Sequence, residues 1–189
     1  GLGDVYKRQF LCMGALSDKG VTVKNIPEHT SQGDKKIIDI LRSFGADVAV
    51  NGDSVAVKKG RLTACTVDAS EIPDLVPVVS VVAAAAEGDT HIINAARVRL
   101  KESDRLMTTA TLLCSLGASV EELPDGLIIH GGRPLHGGTI DSFNDHRIAM
   151  SAAVAACVCT EPVTVTGCEC VNKSFPRFWE NFSGLECGQ

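Results

Sequence analysis

The chain has 189 residues, of which 44% are apolar and 22% charged, with a formal net charge of −5. That balance describes a globular domain with a sizeable core and excludes a disordered chain. The negative balance argues against a nucleic-acid-binding surface, and an aromatic content of 4% argues against base-stacking platforms.

Residues 1–9 fit no pattern found elsewhere and read as a non-native leader or an assembly artefact. One domain is expected over 10–189. No basic region followed by an apolar stretch opens the chain, so no signal peptide is expected. Val21-Thr22-Val23-Lys24-Asn25-Ile26 alternates like a strand. A helix carrying charge on one face is expected over 35–44, closed by Gly45 as a left-handed cap. Two short strands then follow around Asn51-Gly52-Asp53, a hairpin composition.

The longest apolar run, 75–86, contains Pro77 and stops at Glu87-Gly88-Asp89. It is too short to cross a membrane and reads as a helix buried on every side. The expected location is the cytoplasm. A second strand is expected over 90–95, and a second helix ending at Gly117. A second hairpin follows at Pro124-Asp125-Gly126. Another all-apolar helix is expected over 148–159, a strand over 162–167 and a shortened helix over 178–185.

These elements repeat at intervals of about seventy residues, too long a period and too few copies for a solenoid. Ile40-Leu41-Arg42-Ser43-Phe44-Gly45-Ala46-Asp47-Val48 aligns with Leu112-Leu113-Cys114-Ser115-Leu116-Gly117-Ala118-Ser119-Val120. Each unit reads helix, strand, helix, strand, strand. The expected fold is α/β, a pseudo-threefold repeat with buried central helices and outer sheets. The first unit is expected to lack its leading strand and the third its hairpin, so the domain is incomplete.

Eight cysteines occur, including Cys157-x-Cys159 and Cys168-x-Cys170. Their spacing is tighter than that of zinc knuckles and their surroundings are apolar, so reduced core thiols and no metal are expected.

Three segments concentrate chemistry. Six of the ten residues from Arg97 to Leu106 are charged, with four cations against two anions. Helical spacing would place Lys101, Glu102 and Arg105 on one face, either as a solvated helix start or as an anion site. Asn144-Asp145-His146-Arg147 opens an apolar helix that Asn144 or Asp145 can cap. Arg147 there opposes the helix dipole, as a cation held for a ligand would. Asp74 precedes the most apolar helix, either as a cap or as a cleft carboxylate whose pKa burial would raise. Lys173 stands before Ser174-Phe175-Pro176. There is no Gly-x-Ser-x-Gly, Walker loop or dinucleotide fingerprint. The chemistry suggested is anion binding with proton transfer.

At these positions the chain resembles the 5-enolpyruvylshikimate-3-phosphate synthases. The resemblance rests on Leu100-Lys101-Glu102-Ser103-Asp104-Arg105, Asn144-Asp145-His146-Arg147-Ile148-Ala149-Met150, Lys173-Ser174-Phe175-Pro176 and Ile72-Pro73-Asp74. It runs from about residue 10 to 185, and four ordered matches are far more specific than one. It implies an enolpyruvyl transferase domain of βαβαββ units, forming the C-terminal part of a two-domain enzyme. The implied reaction moves the enolpyruvyl group of phosphoenolpyruvate onto the 5-hydroxyl of shikimate 3-phosphate, a step of chorismate and aromatic amino acid biosynthesis, without a cofactor.

The resemblance also implies the roles. Asp74 is the base at the shikimate hydroxyl, and Glu102 exchanges a proton with the methylene carbon. Arg105, Arg147 and Lys173 bind phosphoenolpyruvate, Lys101 contacts shikimate 3-phosphate, and Asp145 and His146 support them. The N-terminal domain has no counterpart here, so this chain alone is expected to be inactive or nearly so, and the full-length protein monomeric. The related UDP-N-acetylglucosamine enolpyruvyl transferases lack the Lys-Glu-Ser-Asp-Arg and Asn-Asp-His-Arg signatures. A non-catalytic anion-binding module would gain nothing from Asp74 and Glu102 beside the cations.

Overall fold

The computed structural model describes residues 4–26 and 32–185. The first three residues of the expected leader, and Cys187, lie outside that range.

The elements follow the chain as three units. The first comprises helix α1 (Asp4–Leu16), strand β1 (Val21–Val23), helix α2 (Gln32–Phe44) and strands β2 (Asp47–Asn51) and β3 (Ser54–Lys58). The second runs β4 (Thr66–Asp68), α3 (Val76–Ala85), β5 (Asp89–Ile93), α4 (Arg105–Ser115), β6 (Ser119–Leu123) and β7 (Gly126–His130). The third runs β8 (Gly138–Asp141), α5 (His146–Ala156), β9 (Val163–Thr166) and α6 (Phe178–Gly184). Three 3₁₀ turns, Pro73–Leu75, Ala96–Leu100 and Cys168–Lys173, lie between them.

The second sheet is complete, in the order β4-β5-β7-β6, with β4 parallel to β5 and the other pairs antiparallel. The first sheet, β1-β3-β2, repeats its antiparallel part. The third, β8-β9, repeats its parallel pair. Among the described residues the first sheet therefore has no strand equivalent to β4 and the third has no hairpin, as expected. The leading strands β4 and β8 were implied by the βαβαββ unit but not located in the sequence. They are three and four residues long, too short for alternation to stand out.

Why the helices go inside is legible residue by residue. In α3, Val76 through Ala84 are all buried. Pro77 is tolerated in the first turn because its missing N–H has no partner there anyway. Ser80 satisfies its buried hydroxyl by donating to the Val76 carbonyl at 2.7 Å. Helix α5 is buried from His146 to Ala155. Helix α2 is different: Ile37, Leu41 and Phe44 are fully buried at helical spacing, whereas Lys35, Asp39 and Arg42 face solvent. Gly45 and Gly117 end α2 and α4 with φ of 93° and 89°. In each case the glycine and the following alanine turn their N–H groups back onto the last helical carbonyls, the paired bonds of a Schellman cap.

A second, smaller core holds Tyr6, Met150, Cys170, Val171 and Phe178, with Phe10, Phe175, Trp179 and Phe182 packed on it. It fastens the turn Cys168–Lys173 against α5, and Trp179 Nε1 donates to the Cys168 carbonyl at 3.3 Å. Among the described residues no helix is long and apolar enough to cross a membrane.

Candidate active site

Helices α3, α4 and α5 pack against one another, and the residues at their N-terminal ends meet. Asp74 sits in the 3₁₀ turn Pro73–Leu75 that leads into α3. Asp104 caps α4 by accepting from Met107 N–H, so Arg105 is the first helical residue. Asp145 caps α5 by accepting from Arg147 N–H at 2.9 Å, which places His146 and Arg147 in its first turn.

Arg105 joins the three. Its Nη1 donates to Asp74 Oδ1 at 2.8 Å, its Nε to Asp145 Oδ2 at 2.7 Å and its Nη2 to Asp145 Oδ1 at 3.1 Å. Lys101 Nζ reaches the same Asp74 oxygen at 3.3 Å. Ser103 Oγ donates to Asp145 Oδ2 at 2.9 Å. Glu102 lies against His146, Oε2 to Nδ1 at 2.8 Å. Lys173 Nζ donates to Asn144 Oδ1 at 2.9 Å, one residue before the α5 cap. All eight residues singled out from the sequence thus fall in one connected patch.

The route by which they meet differs from the sequence expectation in two ways. Lys101 and Glu102 are not on a helix with Arg105. Lys101 closes the turn Ala96–Leu100 in extended conformation, and α4 begins four residues later. Lys101 and Arg105 converge because both reach Asp74, not because they share a helical face. The second correction concerns the Asp74 carboxyl. Burial pushes its pKa up, but the charges of Arg147, Lys101 and Arg105 outweigh that and hold it below the usual carboxylate range. Asp74 is therefore anionic at neutral pH.

Asp145 shows the same competition. Its side chain is fully buried, which raises its pKa. Arg105, the Arg147 N–H and the Ser103 hydroxyl hold it low nonetheless. Arg147 is 4% exposed, and among the described residues its Nε and Nη1 have no hydrogen-bond partner. Its carbon Cζ lies 5.3 Å from the Tyr6 ring centre. Burial lowers its pKa while the Asp74 charge raises it.

Glu102, Asp145 and His146 have ligand atoms within 4.8 Å of one another, the one such grouping of histidine, cysteine and carboxylate side chains among the described residues. Asp145 is a poor metal ligand here. Each of its oxygens already accepts two hydrogen bonds, which uses its acceptor capacity.

Two contributors were missed from the sequence. Ser103 had no role beyond its place in a motif, and Asn144 was read only as a possible cap. Neither carries a signal in one sequence, because each acts through a partner about thirty to forty residues away.

Comparison with known proteins fits this geometry. The family profile of EPSP synthase (3-phosphoshikimate 1-carboxyvinyltransferase) matches residues 7–182. The 3-phosphoshikimate 1-carboxyvinyltransferase of Clostridium novyi (strain NT) is 46% identical over 180 residues, covering 95% of this chain and 41% of the relative. That of Clostridium acetobutylicum is 47% identical over 183 residues, covering 97% and 42%. The solved EPSP synthase of Acinetobacter baumannii superposes with a TM-score of 0.82 at 30% identity, over 94% of this chain and 44% of that one. The enolpyruvyl transferase NikO from Streptomyces tendae shares the fold, with a TM-score of 0.77 at 21% identity, over 96% and 42%. The chain thus spans less than half the length of the curated relatives it matches. With four motifs gathered at one rim and a profile match over nearly its whole length, the chain belongs to the EPSP synthase family.

Proposed function

We propose that this chain forms the phosphoenolpyruvate-binding part of an enzyme that transfers the enolpyruvyl group to the 5-hydroxyl of shikimate 3-phosphate. The carrying observation is Arg147. A guanidinium 4% exposed, with Nε and Nη1 unpartnered, is costly unless an anion meets it. It stands where three helix N-termini converge, a place that itself favours anions. Arginine forks match carboxylate and phosphate oxygens, and phosphoenolpyruvate carries both groups.

In this reading Arg105, Arg147 and Lys173 hold phosphoenolpyruvate, and Lys101 reaches shikimate 3-phosphate. Asp74 takes the proton from the 5-hydroxyl as its oxygen attacks C2 of phosphoenolpyruvate. Glu102 gives a proton to the C3 methylene, forming a tetrahedral intermediate. Loss of phosphate, which leaves with the proton taken up by Asp74, and transfer of a C3 proton back to Glu102 then leave the enol ether. His146 orients Glu102, and Asp145 orients Arg105. The low pKa of Asp74 makes it a weak base before substrate arrives. A bound phosphate shares the cations that lower it and adds negative charge nearby, and both effects raise its basicity. The steps need only these side chains and the two substrates.

The rest of the active site comes from the N-terminal domain of the same longer, monomeric protein. Residues 10–189 belong to the C-terminal domain. The setting is cytoplasmic.

Calorimetric titration with phosphoenolpyruvate tests the binding step, and Arg147→Gln should abolish it. Phosphate release tests the reaction. The chain alone should give none. Joined to the remaining N-terminal portion of the Clostridium novyi relative, it should turn over with shikimate 3-phosphate and not with UDP-N-acetylglucosamine. Turnover by the isolated chain, or indifference to Arg147, would overturn this reading.

A further inference from the structure

Two cations of the site, Arg147 and Lys173, have no carboxylate within salt-bridge distance among the described residues. Lys173 Nζ donates instead to the neutral oxygen Asn144 Oδ1 at 2.9 Å. The backbone beneath Asn144 is unusual. Phe143 and Asn144 both adopt the left-handed region, with φ of 53° and 56°. Their N–H groups donate to Asp141 Oδ1 at 2.8 Å and Ser142 Oγ at 3.2 Å. Ser142 Oγ in turn donates at 3.0 Å to the carbonyl of Gly167, which opens the turn carrying Lys173. Gly167 has φ of 66°, and a Cβ there would lie 2.7 Å from Ser142 Oγ. The corner before α5 and the turn Cys168–Lys173 are therefore tied at both ends.

We infer that Asn144 is a positioning residue: it holds the Lys173 ammonium toward the anion site while leaving its charge uncancelled. Three demands meet at this position. A left-handed backbone favours Gly, Asn or Asp. Holding an ammonium requires an acceptor, which Gly lacks. Keeping the charge available for a ligand requires a neutral acceptor, which Asp is not. An aspartate in place of Asn144 would put a carboxylate in competition with the ligand for the Lys173 ammonium. Only Asn satisfies all three. The identity of the anion as phosphoenolpyruvate rests on the function proposed above, but the coupling of Asn144 to Lys173 does not.

The two claims separate in one experiment on the 189-residue chain. Lysines are reductively methylated with ¹³C-formaldehyde, and the Lys173 signal is assigned by its loss in Lys173→Arg. Without ligand, that signal should be distinct in the parent chain and in Asn144→Asp. In Asn144→Gly, which keeps the backbone conformation, it should collapse onto the free-lysine position with the thermal midpoint unchanged. Titration with phosphoenolpyruvate should then show binding weakened about tenfold in both variants, the size of one lost charge-assisted contact. A Lys173 signal indifferent to Asn144→Gly overturns the positioning role. So does phosphoenolpyruvate affinity unchanged in Asn144→Asp. Failure of the parent chain to bind phosphoenolpyruvate, with the Lys173 signal still dependent on Asn144, would count against the proposed function and leave the positioning role supported.

Discussion

Arg105 and Asp145 form a two-pronged ion pair, Nε to Oδ2 at 2.7 Å and Nη2 to Oδ1 at 3.1 Å, with side-chain exposures of 3% and 0%. Removing one member leaves the other charge buried, which typically costs about 3–5 kcal/mol. Asp145→Asn should therefore destabilise the chain by about that amount in urea denaturation. Replacing both, as Arg105→Met with Asp145→Leu, should recover much of the loss, because a buried pair adds little over apolar packing. Equal losses in the single and double variants would show that the pair is not coupled as its geometry indicates.

The acid limb of stability follows from the carboxylates. Asp74 and Asp145 both have folded pKa values held below their ordinary value of 3.8. A depressed folded pKa gives stability that is fully present above the unfolded value and lost as pH falls through the folded one. Apart from the contribution of His130, thermal midpoints should be flat from neutrality down to about pH 4–5 and fall below it, since unfolded carboxylates titrate near pH 4. In Asp145→Asn the fall should be shallower, although that variant starts lower. An acid limb of unchanged steepness would remove Asp145 from the explanation.

His130 carries the opposite sign. Its Nδ1 lies 2.8 Å from Asp89 and its Nε2 2.9 Å from Glu121, across the outer face of the second sheet. Those hydrogen bonds raise its pKa above 6.5. Its contribution is complete below the unfolded value and disappears as pH rises through the folded one. His130→Gln should lower the thermal midpoint at pH 5.5 and leave it nearly unchanged at pH 9. A loss of equal size at both pH values would mean that His130 acts by packing rather than by charge.

What could be read from the sequence depended on the range of the interaction. Val76 through Ala84 announced a buried helix because no polar face interrupts them. Gly45 and Gly117 announced two helix ends because only a residue without Cβ adopts their φ cheaply. Strands β4 and β8 did not announce themselves, since each is stabilised by a parallel partner in the sheet rather than by its own pattern. The site residues were found by type and motif, but their meeting spans 31 residues from Asp74 to Arg105 and 40 from Arg105 to Asp145. Spacing arithmetic failed at Lys101 because it presumed a helix that the Asp104 cap starts later. It failed for the Asp74 pKa because burial is legible in an apolar neighbourhood while three cations brought in from elsewhere are not.

Among the described residues Glu102 is tied only to His146, and its side chain is 45% exposed. Glu102→Gln therefore has little reason to unfold the chain. In an enzyme completed with the N-terminal portion of a relative, it should lower kcat about 10²–10⁴-fold, the usual contribution of a positioned acid–base group. KM for phosphoenolpyruvate should change far less, since Glu102 is not among the proposed anion ligands. A purely structural carboxylate would instead shift the thermal midpoint and KM while sparing kcat.

Gln9 offers a test of the packing of α1. It lies in α1 with its side chain fully buried, and neither its Oε1 nor its Nε2 has a hydrogen-bond partner among the described residues. An unmade hydrogen bond on a buried polar group costs about 1–3 kcal/mol. Gln9→Met keeps the length and removes the unmet groups, and Met adapts to irregular space. The variant should be more stable by about 1–3 kcal/mol in urea denaturation. A destabilised Gln9→Met would mean that the carboxamide is satisfied in solution.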